Sequence, residues 1–224
     1  SGAEETIIYS GVSPDPTVQQ VAKAVAEIKA FTPDTVVALG GGSAMDCAKA
    51  TVFFSGLSLY FVAVPTTSGS GSEVTDFAVL THNGIKHPLV DETLCPDVAI
   101  LDYELLRQLP KTLVSDGGFD VLSHALEAYV ATGAGAITDA LAGEAFSAAV
   151  QALPGSYAGH FSARQKMHMA STMAGMAFSQ AGLGLCHAMS HTLGGIFHLP
   201  HGRLNAILLP AIIGTNGANA AAKY

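Results

Sequence analysis

Residues 35–39 read TVVAL, a β-branched run suited to a buried parallel strand, and they end directly on Gly40, Gly41, Gly42 and Ser43 before a helical pattern begins. A strand that passes into a helix through three glycines commits this part of the chain to an α/β arrangement. The glycines let the backbone approach a ligand closely. Amides of the first helical turn, at the positive end of the helix dipole, then favour a phosphate. A purely structural role fits the same residues, with Ser43 and Asp46 forming a capping box and the glycines serving a tight turn. The pattern is not GxGxxG, because Met45 occupies the third glycine position of that fingerprint.

The surrounding segments extend this α/β pattern. Ile7, Ile8 and Tyr9 form an apolar triplet that reads as a strand, and Thr17 caps a helix whose Val18, Val21, Ala22, Val25 and Ile28 recur at helical spacing. Residues 60–64 are a second short strand, followed by PTTSGSGSE at 65–73, a loop whose hydroxyls and amides suit phosphate or ribose but also suit a flexible connector. Residues 75–81, 86–90 and 98–101 read as strands, the first two joined by a hairpin turn at His82, Asn83 and Gly84. After Asp102 the pattern becomes helical and alanine-rich, which places a domain boundary there, between 1–102 and 103–224. The run from Asn219 to Tyr224 reads as helix.

Composition narrows the function. A chain of 224 residues with 49% hydrophobic content builds a sizeable core in one or two domains. Only 12% of residues are charged, against about 25% in average soluble proteins, which points to apolar surface buried inside sheets and between subunits of a homodimer or larger homo-oligomer. A net charge of −8 without any basic run excludes non-specific nucleic-acid binding and leaves a small molecule as the partner. Cys47, Cys95 and Cys186 have no CxxC spacing, so they offer neither a disulfide framework nor a thiolate zinc site. No leader-like segment and no apolar run long enough for a membrane is evident, and the expected location is cytoplasmic.

The densest chemistry lies in residues 181–205, where His187 and His191 stand four apart on one face of an apolar helix. Gly194, Gly195 and Pro200 break that helix and return His201 toward the same pocket. Upstream, Asp120 and His124 are again four apart on one helical face. Together Asp120, His124, His187 and His201 make a four-ligand metal site of three imidazoles and one carboxylate. His198, three residues before His201, is an alternative ligand if the loop turns the other way. His82, His87, His160 and His168 read as surface or hydrogen-bonded side chains. Ala188, Met189, Leu193, Ile196 and Phe197 suggest a small apolar pocket, with Phe197 limiting its length, although Met189 and Leu193 fit a core equally well.

Four segments in order, GGGSxxDxxK at 40–49, PTTSGSGSE at 65–73, FDVLSHALEAY at 119–129 and GLCHAMSHTLGGIFHLPHG at 184–202, resemble the iron-dependent, group III alcohol dehydrogenases. Within that family the likeness is strongest to the ethanolamine-utilisation type, with the propanol dehydrogenases of propanediol utilisation as near relatives. The resemblance implies an α/β dinucleotide-binding domain at 1–102 followed by an all-α metal-binding domain at 103–224, the dehydroquinate synthase-like architecture. It implies iron(II), or alternatively zinc, at Asp120, His124, His187 and His201. It also implies NAD held by Gly41, Gly42, Ser43, Thr66 and Thr67 with Asp76 and Lys86 nearby, and a bacterial microcompartment as the setting. Family members carry a strand–helix unit ahead of this region, with the acidic residue that contacts the adenine ribose, and more helices after it. The step from Gly56 to Leu57 is also shorter than usual.

The chemistry expected of such a site is alcohol–aldehyde interconversion, acetaldehyde being the expected substrate. A metal held by three neutral imidazoles and one carboxylate keeps positive charge, acidifies an alcohol and polarises a carbonyl, which is what hydride exchange with a nicotinamide requires. His191, one turn beyond His187, is placed to shuttle a proton or shape the nicotinamide pocket. Two other functions compete: a glycerol-type polyol dehydrogenase or a lyase related to dehydroquinate synthase, which predicts more Lys and Arg at the site, and a non-catalytic assembly module of the same fold. Four costly polar groups in an apolar helical region argue against the module.

Overall fold

The computed structural model describes residues 5–223, apart from the side chain of Asn219. Helix α1 (Val18–Phe31) begins at Thr17, whose Oγ accepts from the Gln20 amide at 3.2 Å while the Gln20 side chain accepts from the Thr17 amide at 2.9 Å. Strands β1 (Thr35–Gly40) and β2 (Tyr60–Pro65) pair in parallel across α2 (Gly42–Ser55), and a short β5 (Val98–Ala99) joins the far side of β2. Strands β3 (Phe77–His82) and β4 (Ile85–Val90) form a separate antiparallel hairpin. Its tip uses Asn83 and Gly84 at φ 50° and 75°, the paired left-handed residues of a type I′ turn.

Two strand expectations change. Residues 7–9 form no strand. Ile8 is 88% exposed, and Tyr9 instead packs beside Val21 and donates its hydroxyl to the Gln20 carbonyl at 3.0 Å, so the triplet anchors α1 rather than extending a sheet. The run expected as strand at 98–101 is paired over Val98 and Ala99. Asp102 lies beyond it and caps a single turn, accepting from the Glu104 amide at 3.0 Å.

The long helices follow: α3 (Lys111–Val130), α4 (Ala136–Ala158), α5 (Phe161–Ala181), α6 (Leu185–Phe197) and α7 (His201–Ala220). Residues 221–223 form a turn, and Tyr224 lies outside the described residues. Alanines set the spacing of the first three helices. Ala125, Ala145, Ala149, Ala170 and Ala174 are fully buried against one another, with Val121 and Met167 filling the remaining space. Among the described residues no helix is long and apolar enough to cross a membrane.

The loop after β2 joins the two halves. A Cβ on Gly117 of α3 would lie 2.2 Å from the Ser68 carbonyl oxygen, and one on Gly175 of α5 would lie 2.8 Å from that of Gly71. Glycine at both positions lets the loop wedge between α3 and α5. There the Gly69 amide donates to Ser171 Oγ at 2.8 Å.

Candidate metal centre and adjoining cleft

Helix α3 places Asp120, His124 and Glu127 along one buried face, and α6 places His187 and His191 on a second. After α6 ends at His198, in the left-handed conformation at φ 52°, the chain turns through Pro200 and α7 begins on His201. One oxygen of Asp120 lies 3.9, 3.7 and 3.4 Å from Nε2 of His124, His187 and His201. The donor atoms of Asp120, His124 and His187 all lie within 4.8 Å of one another.

The opposite ring nitrogens are engaged elsewhere. His124 Nδ1 meets the Gly69 carbonyl at 3.2 Å, His187 Nδ1 meets Glu127 Oε2 at 2.7 Å, and His201 Nδ1 meets Ser190 Oγ at 3.3 Å. A proton on each Nδ1 leaves the Nε2 lone pairs facing Asp120. Three imidazoles and one carboxylate converging in this way fit a divalent first-row metal. Asn205, one turn beyond His201, donates to Asp120 Oδ1 at 2.8 Å and completes the buried ring of polar groups.

Charge follows the same pattern. Burial alone would raise the Asp120 carboxyl, but His124, His201 and His187 outweigh it and hold the group well below the usual carboxylate range. Burial pushes His124 down to about 3 and lowers His201 as well, keeping both imidazoles neutral. Burial also opposes charge on His187, but its bonds to Asp120 and Glu127 win and raise it.

Asp120 and the three converging histidines open onto a cavity of about 600 Å³. Gly41, Gly42, Ser43, Thr67 and Lys86 line it together with Asp120, His124, His187, His191 and His201. Gly41 caps α2 without any side-chain hydrogen bond, and a Cβ there would lie 3.0 Å from Thr67 Oγ1, so the turn is a bare-backbone cradle of the kind a phosphate occupies. His191 stacks on His201 with centroids 4.6 Å apart, and its buried Nδ1 has no hydrogen-bond partner among the described residues. Lys86 pairs with Asp15 at 2.7 Å on the same wall.

Several expectations need correction. The capping box is absent: Asp46 turns inward and accepts from Ser72 Oγ at 2.9 Å and the Val79 amide at 3.1 Å. Thr66 and Asp76 do not line the cavity. The Thr66 amide is bonded to the Gly40 carbonyl at 2.8 Å, and Asp76 accepts from Ser179 Oγ on α5 at 2.7 Å. His198 is exposed at the end of α6 and takes no part. Ala188, Met189, Leu193, Ile196 and Phe197 also lie outside the cavity, because the two histidines already occupy the inner face of α6; Phe197 is 61% exposed. Leu113, Phe178, Leu183 and Pro200 supply the apolar lining instead, and Phe178 stacks on His124 at 4.4 Å. Glu127 and Asn205 were not anticipated, although their spacing of three from His124 and four from His201 marks them as neighbours on the same helical faces.

Comparison with known proteins accounts for this arrangement. Residues 1–103 match the family described as iron-containing alcohol dehydrogenase, and residues 114–224 match the C-terminal part of the Fe-containing alcohol dehydrogenase family. The 1-propanol dehydrogenase PduQ of Citrobacter freundii is 50% identical over 97% of this chain, and the chain spans 61% of that relative's length. A solved iron-containing alcohol dehydrogenase from Thermococcus thioreducens superposes with a TM-score of 0.88 at 38% identity, over 93% of this chain and 61% of the other. A sulfoacetaldehyde reductase from Bifidobacterium kashiwanohense, solved in complex with NAD+, gives 0.87 at 34% identity, over 94% and 62%. Two family matches that together span nearly the whole sequence, on the expected two-domain fold, establish that the chain belongs to the iron-containing alcohol dehydrogenase family.

Proposed function

We propose that this chain carries the hydride-transfer site of an NAD-linked, metal-dependent alcohol dehydrogenase that interconverts a short aldehyde and its primary alcohol. One observation carries the proposal: the three-imidazole, one-carboxylate cluster and the bare glycine turn open onto the same 600 Å³ cavity. The two halves, taken as 1–102 and 103–224, then bind the dinucleotide and the metal respectively. Iron(II), or zinc in its place, would be held by Asp120, His124, His187 and His201 and would supply Lewis acidity toward the alcohol or aldehyde oxygen.

The chain's own groups do the rest. Gly41, Gly42 and Ser43 present backbone amides to the dinucleotide phosphates, with Thr67 beside them and Lys86 on the facing wall. Thr66 and Asp76 act from outside the cavity by holding the loop. Leu113, Phe178, Leu183 and Pro200 exclude water and suit a short alkyl group. Burial, followed by the neighbouring His201, lowers His191 to about 3, so it stands neutral and is a weak proton acceptor, which favours a role in shaping the nicotinamide pocket over one in proton transfer.

A relative named as a 1-propanol dehydrogenase supports a short primary alcohol as substrate, and a neighbour solved with NAD+ supports the cofactor. Acetaldehyde reduction in ethanolamine utilisation, by a homo-oligomer within a cytoplasmic microcompartment, is the specific role we assign. The test is metal analysis of protein purified without oxygen, with aldehyde-dependent NADH oxidation measured before and after iron(II) addition. Stoichiometric metal and turnover that tracks it are expected. A folded protein with neither metal nor turnover in the presence of iron(II) would overturn the proposal.

A further inference from the structure

We propose that Glu127 is a positioning residue that sets the geometry of the metal centre, acting as the N-terminal cap of α6 and as the proton acceptor of His187. The proposal rests on the metal-site reading above. Helix α6 has Gly184 at its N-cap position, a residue with no side chain of its own to cap the helix. The missing cap arrives from α3: one Glu127 oxygen accepts from the Cys186 amide at 2.7 Å, and the other from the amides of Gly184 at 3.1 Å and His187 at 3.2 Å. That second oxygen also accepts from His187 Nδ1 at 2.7 Å. A single buried carboxylate thus binds three amides at the helix start and the ring of the first histidine on that helix.

The linkage is unusual among the three imidazoles. His124 and His201 meet neutral oxygens of Gly69 and Ser190, whereas His187 alone meets an anion other than Asp120. A carboxylate behind an imidazole fixes its tautomer and makes its free nitrogen a stronger donor to a metal. Because the same carboxylate caps α6, the position of His187 and the start of the helix carrying His191 are fixed together. Gly184 has a matching role. A Cβ there would lie 2.7 Å from Glu127 Oε1, so only glycine lets the carboxylate sit over the helix start.

Two variants and one measurement on the unaltered protein test this. Glu127→Gln keeps the shape but replaces one acceptor oxygen by a donor amide. Gly184→Ala keeps the charge but displaces the carboxylate. Cobalt(II) is the probe, its binding followed by visible absorption against a competing chelator. Both variants are expected to bind it about 10- to 100-fold more weakly than the unaltered protein, with a changed spectrum. In the metal-free unaltered protein, imidazole nitrogen NMR is expected to show His187 protonated at Nδ1. A residue that merely caps the helix would lower the unfolding temperature and leave cobalt affinity within about twofold, and that result overturns the proposal. Protonation of His187 at Nε2 alone, with Nδ1 bare, overturns it as well, even where Glu127→Gln fails to fold. No cobalt uptake by the unaltered protein would instead remove the metal-site reading on which the proposal stands.

Discussion

Gly202 lies so close to Asp116 that a Cβ on the glycine would sit 1.9 Å from the aspartate's carbonyl oxygen. This contact lets the start of α7 press onto α3 and carries His201, the preceding residue, to 3.4 Å from Asp120. Arg203 secures the same junction through bonds to Asp116 at 3.1 and 3.2 Å. Gly202→Ala is therefore expected to push α7 outward, cost about 1–3 kcal/mol through overpacking, and weaken metal binding by moving one ligand. Urea unfolding of the metal-free variant and its cobalt(II) affinity check both parts. Unchanged affinity would show that His201 does not depend on this contact.

His201 is the most accessible of the three imidazoles, with its side chain 24% exposed against 6% for His124 and 3% for His187. Its removal should therefore disturb packing least while opening the ligand set. His201→Ala is expected to lose metal and turnover together and to unfold within about 1 kcal/mol of the unaltered metal-free protein. Metal content after dialysis decides the matter. Retention of stoichiometric metal would remove His201 from the ligand set.

At the other end of the cavity, Gly41 faces Thr67 across 3.0 Å once a Cβ is built. A branched side chain there would fill the cradle proposed for the dinucleotide phosphates. Gly41→Val is expected to raise the dissociation constant for NADH at least about tenfold, a loss of about 1.4 kcal/mol, with little change in metal affinity. Fluorescence titration of NADH reads the first quantity. Equal NADH binding would move the cofactor away from this turn.

Lys49 is completely buried on α2 and donates to Thr75 O at 2.7 Å, Thr75 Oγ1 at 3.0 Å and Phe77 O at 2.9 Å. Burial pulls its ammonium down to about 8 while nearby Asp46 opposes that pull, so it remains mostly charged at neutral pH. Lys49→Met would strand two carbonyls and leave the buried Asp46 without its counter-charge. The expected loss is about 3–5 kcal/mol in urea unfolding. A loss under about 1 kcal/mol would show that the loop closes without this pin.

The α/β half and the convergence of Asp120 with His124, His187 and His201 were legible because each rests on local pattern. The TVVAL strand, its glycine turn and the i, i+4 spacings of Asp120 with His124 and His187 with His191 all survive in the structure. What escaped depends on partners distant in sequence. Asp46 fits a local cap, yet Ser72 and Val79 bid for its carboxylate from 26 and 33 residues away and win. Glu127 was not anticipated because its donors come from the start of α6, 57 residues later. The apolar pocket was misplaced for a related reason. Histidines took the inner face of α6, so the alkyl lining came from α3, α5 and the turns flanking α6.

Burial of neutral histidines makes the metal-free protein sensitive to acid. His168 is fully buried on α5, bonded through Nδ1 to Ser68 Oγ at 3.0 Å, and burial lowers it to about 4. In the unfolded chain it protonates near its ordinary value of about 6.5. As pH falls below that value the unfolded form therefore takes up a proton that the native form refuses, and stability declines until the native group titrates near 4. The contribution lost over that interval is about 3 kcal/mol. His124 and His191, both held down to about 3, act with the same sign. His187, raised by Asp120 and Glu127 against its burial, acts with the opposite sign: its contribution is full at low pH and is lost as pH rises through its native value. The depressed groups outnumber it, so urea midpoints of the metal-free protein are expected to fall steadily between pH 6.5 and 4. His168→Asn, which keeps a polar atom toward Ser68 but cannot titrate, should reduce that slope by up to about 1.4 kcal/mol per pH unit. Parallel slopes in the two proteins would mean that His168 takes up its proton in the native state as readily as in the unfolded chain.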